Sequence, residues 1–186
     1  MEQLVLTSTD KEERYKEIIP QIETIISGEE DLIANLANVA AILKEAFDFF
    51  WVGFYLVKSI RKSDGTASAS VKEFEEELVL GPFQGPLACT RIKYGRGVCG
   101  SAWREARTLV VPDVDKFPGH IACSSLSRSE IVVPVFKGKN SEVSDGSANG
   151  VAAVLDIDSK ELSTFDDVDA KYLEELSSMI TSLLFR

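Results

Sequence analysis

FFWVGFYLVK, residues 49–58, decides the fold. Aromatic and β-branched side chains crowd this stretch, which predicts a strand. What precedes it reads as helix. In DKEERYKEIIPQIETIIS, residues 10–27, Tyr15, Ile18, Ile22 and Ile25 share roughly one helical face. Pro20 is expected to kink or split that helix. Asp31 then leads LIANLANVAAILKEAF, a second amphipathic helix rich in Ala, Leu and Ile. Its small residues suit close packing on a sheet.

Downstream, strands dominate. SIRKSDGTASASVKE, residues 59–73, is small and polar and reads as a loop or a long hairpin connection. EELVLGPF (76–83) is the second strand. TRIKYGRGVCGSAWREAR (90–107) reads as a short strand, a glycine turn and a helix from about Gly100 to Arg107. TLVVPDV, IVVPVFK and GVAAVLDID are further strands, and KGKNSEVSDGSANG is a turn region. FDDVDAKYLEELSSMITSLLF closes the chain as a helix, with Asp166 and Asp167 where the helix dipole favours them. Helices at both ends and strands between them predict an α/β sandwich with a mainly antiparallel sheet. One domain is expected over residues 1–186. Its N-terminal helices span 10–47, the sheet and its loops 49–158, and the last helix 165–185.

Composition narrows the function. Net charge is −10, so nucleic acid and anionic membrane surfaces, which need a basic face, are not expected partners. No apolar run is long enough to span a bilayer, and MEQLVLTSTDKEER lacks a secretory pattern. A cytoplasmic location is expected, where thiols stay reduced. The three cysteines are Cys89, Cys99 and Cys123, 10 and 24 residues apart. Those spacings are not the short pairs of a zinc site. With one histidine, His120, a metal would need carboxylates as well, so no metal is expected. No cofactor is implied.

Each candidate residue has a bland reading and a chemical one. The cysteines lie in glycine-rich, loop-like sequence, as small apolar fillers or as redox thiols. His120 caps a turn or favours the Cys123 thiolate. Glu130 is a solvated residue at a strand mouth or an acid. Asp156 and Asp158 alternate onto one strand face, as turn formers or as paired carboxylates in a pocket that binds an ammonium or holds a proton. Trp51 and Tyr55 share a face by the same period, as core or as an aromatic wall.

WVGFY, LGPFQGPLACTRI, GRGVCG, FPGHIAC, SEIVVP and LDIDS together resemble the free methionine-(R)-sulfoxide reductases, which are GAF-domain enzymes. The likeness runs from about Phe49 to the C-terminal helix. It implies a GAF domain, with a six-stranded antiparallel sheet, flanking helices and a ligand pocket on the other side. The substrate would be free methionine-(R)-sulfoxide and the reductant thioredoxin. Cys123 would match the catalytic cysteine, Cys89 the usual resolving one and Cys99 a third that joins in recycling. Glu130, Asp156 and Asp158 would match pocket carboxylates, and Trp51 and Tyr55 the aromatic wall. The aspartate that often follows the family's catalytic cysteine is Ser124 here, and the D-V-H before FPGH is Asp113, Val114, Asp115. Two other roles use the same features, a small-molecule-binding GAF module and a thiol redox sensor. The apolar terminal helices are compatible with a homodimer.

Overall fold

The computed structural model describes residues 3–61, 74–119, 124–138 and 150–185. His120, Cys123, most of the 59–73 connection and most of the 137–150 turn region lie outside the described residues.

Six strands form one antiparallel sheet in the order β3-β2-β1-β6-β5-β4. They are β1 (Trp51–Arg61), β2 (Phe74–Gln84), β3 (Arg91–Lys93), β4 (Leu109–Val111), β5 (Ser129–Phe136) and β6 (Val151–Ser159). The helices are α1 (Lys11–Ser27), α2 (Leu32–Phe47), α3 (Gly97–Glu105) and α4 (Asp167–Leu184). This is the α/β architecture that the element order predicts.

Strand alternation gives the sheet two unlike faces. One face presents Val52, Phe54, Leu56, Ile131, Val133, Leu155 and Ile157 to the apolar sides of α1, α2 and α4, making the main core. The other face carries Trp51, Tyr55, Val132 and Val154 and packs against Val98, Cys99, Ala102 and Trp103 of α3. Aspartates start the long helices as expected, since a carboxylate satisfies amides that have no partner in the helix. Asp10 accepts from the Glu13 amide, Asp31 from Ala34, and Asp166 from Val168 and Asp169. Lys11 and the Tyr15 hydroxyl both bond Asp169, tying α1 to α4.

Three local expectations are corrected. Of the kink or split expected at Pro20, the split does not occur: α1 runs unbroken through it. Pro20 is exposed, so the carbonyl that loses its amide partner lies on the solvent side. β1 extends to Arg61, pairing Ser59 with Glu76 and Ile60 with Glu75 inside the predicted loop. Helix α3 starts at Gly97, not Gly100, so Cys99 is a buried first-turn residue and not a loop residue. The turn uses positive φ at Gly95 and Gly97, which glycine adopts without strain. Gly100 then lets the helix lie on β3, where an added Cβ would stand 2.5 Å from the Lys93 carbonyl oxygen.

Candidate active site

The face toward α3 carries three carboxyl side chains, Glu130, Asp156 and Asp158. In the sheet register Trp51 pairs with Asp158, and Asp158 with Glu130, so the three form one row across β1, β6 and β5. The next row holds Gly53, Asp156 and Val132. Asp156, Asp158 and Glu130 therefore converge from two strands. They line a cavity closed by Trp51, Tyr55, Phe50 and the first turn of α3, including Arg96, Gly97, Val98 and Cys99.

Space for this arrangement comes from absent side chains. A Cβ on Gly53 would meet the Trp51 ring at 2.6 Å and the Phe83 Cβ at 2.4 Å, and one on Gly85 would meet Trp51 at 2.6 Å. Trp51 stacks on Phe83 at 5.5 Å between ring centroids, and its indole N–H donates to the Pro86 carbonyl at 3.1 Å. Tyr55 donates its hydroxyl proton to the Cys89 carbonyl at 3.0 Å, pinning the loop that carries Cys89. Trp51 and Tyr55 are thus both core and cavity wall.

The electrostatics are unusual. Glu130 and Asp156 are 6% and 7% exposed, against the solvated strand mouth and the turn that their bland readings require. Burial, with Asp156 and Asp158 adding repulsion, raises Glu130 well above the ordinary carboxyl range. Burial likewise raises Asp156, with Asp158 as the next cause. Asp158 is less enclosed and keeps a Ser127 hydrogen bond, yet burial pushes it up to about 6. Cys99 donates its thiol proton to Glu130 Oε1 at 3.8 Å, and burial beside Asp156 and Glu130 raises that thiol well above its usual value. Clustering of buried carboxyls keeps each of them protonated to higher pH than an isolated one, which makes them candidates for proton donation in the cavity.

A stability consequence follows. An acid with a raised folded pKa binds more protons folded than unfolded, so stability falls as pH rises from about 3.8 to about 6 for Asp158. Asp158→Asn removes that penalty. Its melting temperature should match wild type near pH 4, exceed it increasingly up to pH 6, and keep the gap above. A pH-independent gap in thermal melts would exclude titration of Asp158 as the source.

Of the other predicted site residues, Cys89 is half-buried beside the cavity, and Ser124, which follows Cys123, lines it. Arg96, Ser127 and Phe50 line it without having been singled out in the sequence. Arg96 carried one signal, a cation between two glycines at a helix start.

Residues 31–184 match the GAF domain family. The chain is 36% identical over 179 residues to the free methionine-R-sulfoxide reductase of Saccharomyces cerevisiae, covering 94% of this chain and 87% of that one. The chain belongs to the free methionine-R-sulfoxide reductase family of GAF domains. Within this family, an X-ray structure of the Neisseria meningitidis free methionine-R-sulfoxide reductase with its substrate is 53% identical at a TM-score of 0.80, covering 98% of this chain and 95% of that one. GAF domain-containing protein A of Dictyostelium discoideum is 52% identical over 179 residues, covering 96% of this chain and 98% of its own. The GAF fold and the six-stranded sheet implied by the motifs are both present. No helix among the described residues is long and apolar enough to cross a membrane.

Proposed function

We propose that this protein reduces free L-methionine-(R)-sulfoxide to methionine. The observation that carries this reading is the buried row of Glu130 and Asp158 beside Trp51, with Asp156 behind it, in a chain whose relatives bear that activity in their names. A sulfoxide oxygen leaves sulfur only when it is protonated as a thiolate attacks. A buried acid next to an apolar wall supplies the proton and holds the S-methyl end.

In this scheme Cys123 attacks the sulfoxide sulfur and Glu130 protonates the oxygen. The oxygen transfers to Cys123 as a sulfenic acid and methionine departs. Cys89 then condenses with the sulfenic acid, releasing water and leaving a disulfide. A dithiol of the thioredoxin class takes the oxidation by exchange, restoring both thiols. The sum is one sulfoxide and two thiols converted to one thioether, one disulfide and water. Cys99 stands as an auxiliary thiol. A cytosolic setting, with its reducing thiol pool, suits this cycle.

Selection of the free amino acid follows from charge. Asp156 and Asp158 pair, as carboxylates, with an α-ammonium that a residue within a peptide lacks, and the ammonium's charge favours their ionisation. Arg96 and the uncapped first-turn amides of α3 face the α-carboxylate. N-acetylation of the substrate is therefore expected to abolish turnover, and normal turnover of the acetylated compound, followed by chromatography, would count against the pairing.

The deciding experiment follows loss of the (R) and (S) epimers separately with dithiothreitol or thioredoxin, in wild type and Cys123→Ser. Consumption of the (R) form alone, absent in the variant, is expected. If reduced wild type consumes neither, the domain is not this reductase.

A further inference from the structure

The cavity also meets the demands of a cation. Cys99 Sγ and a carboxylate oxygen from each of Glu130 and Asp156 lie within 4.8 Å of one another, and all three residues are buried. Asp156 Oδ1 is buried with no hydrogen-bond partner among the described residues. A buried carboxylate oxygen left unpaired is destabilising by several times the worth of an ordinary hydrogen bond. A proton on the other oxygen lowers the charge but leaves this one unsatisfied, so a ligand that brings positive charge to it is favoured.

We propose that Cys99, Glu130 and Asp156 form a binding site for one borderline-soft divalent cation, of the zinc and cadmium class. Donor chemistry sets the class. A thiolate with carboxylates suits zinc or cadmium, whereas magnesium and calcium take oxygen alone. Geometry agrees with it. A tetrahedral zinc with Zn–S of about 2.3 Å and Zn–O of about 2.1 Å separates sulfur from oxygen by about 3.6 Å. Cys99 Sγ and Glu130 Oε1 are 3.8 Å apart. Cys99 sits in the first turn of α3, and a bound cation would supply the charge that stabilises its thiolate against burial and the neighbouring carboxylates. Asp158 or water completes the coordination, and all four side chains line the same cavity, which gives the ion its route. The ligands are far apart in sequence, so no short metal-binding spacing announces them.

Binding expels the thiol and carboxyl protons, so affinity rises with pH. On the reductase reading the cation also occupies the carboxylates that the sulfoxide needs. Metal and substrate then exclude each other. The metal site itself does not depend on that reading.

The test is titration of reduced, metal-free wild type with cadmium, followed by the ultraviolet thiolate-to-cadmium charge-transfer band. Saturation at one equivalent is expected, with zinc displacing the cadmium. The band should persist in Cys89→Ser and Cys123→Ser and vanish in Cys99→Ser. Asp156→Asn, which alters no thiol, should weaken binding by at least about tenfold, with its fold checked by circular dichroism. Absence of a saturable band overturns the proposal. So does a band that survives Cys99→Ser but is lost in Cys123→Ser. Zinc should also inhibit sulfoxide reduction competitively, and unaffected turnover at saturating zinc would overturn the exclusion. A wild type that binds cadmium but never consumes sulfoxide would sink the reductase reading and leave the metal site standing.

Discussion

Glu130→Gln is expected to lower kcat by about 100- to 10,000-fold, the usual worth of a positioned general acid. Glutamine keeps the shape of the side chain and removes the proton. Glu130 is the candidate because it is buried, because both aspartates oppose its ionisation, and because it shares a row with Trp51. The pH profile separates loss of an acid from loss of shape. In wild type, activity should decline on the alkaline side as Glu130 loses its proton. The variant should lack that limb. At neutral pH the variant should also melt no lower than wild type, since a neutral amide carries less desolvation penalty than an ionisable group. A kcat within tenfold of wild type, measured with saturating free sulfoxide, would move the acid to Asp158 or Asp156.

Gly100→Val is expected to have the largest effect on stability. The new Cβ would lie 2.5 Å from a backbone carbonyl, that of Lys93, so no side-chain rotation relieves the clash. Overpacking of this kind typically costs about 1–3 kcal/mol, and each kcal/mol lowers the melting temperature of a chain of this size by about 2–4 °C. A fall of about 2–12 °C is expected. Because α3 carries Cys99 and two other cavity residues, activity should fall further than the remaining folded fraction explains. A melting temperature unchanged by calorimetry would show that α3 has room to stand off β3.

Much of this was legible in the sequence, for physical reasons. β1, β5 and β6 announced themselves because strands that lie between two packed layers are rich in β-branched and aromatic residues. Period two put Asp156 with Asp158 and Trp51 with Tyr55 on shared faces, and the structure keeps both pairs on the α3 side. The start of α3 was hidden because GRGVCG reads as a turn. Only the fit of Gly100 against Lys93 shows why helix prevails there. That Pro20 would not split α1 was hidden because its effect depends on whether the freed carbonyl meets water, which is a matter of burial. Strand register escaped altogether. That Glu130 stands opposite Asp158, and within reach of Cys99, depends on pairing between distant segments.

The unlike faces of the sheet bear on how such a domain diversifies. Side chains that hold the long helices point one way, and those that meet a ligand point the other, on the same strands. Substitutions on the ligand side leave the helical core almost untouched, so new pockets arise without passing through unfolded intermediates in sequence space. The buried acids give that drift a bias. At neutral pH, exchange of Asp158 for a neutral residue relieves the penalty of its raised pKa, so a lineage released from selection for catalysis would drift toward more stable, inert binding modules.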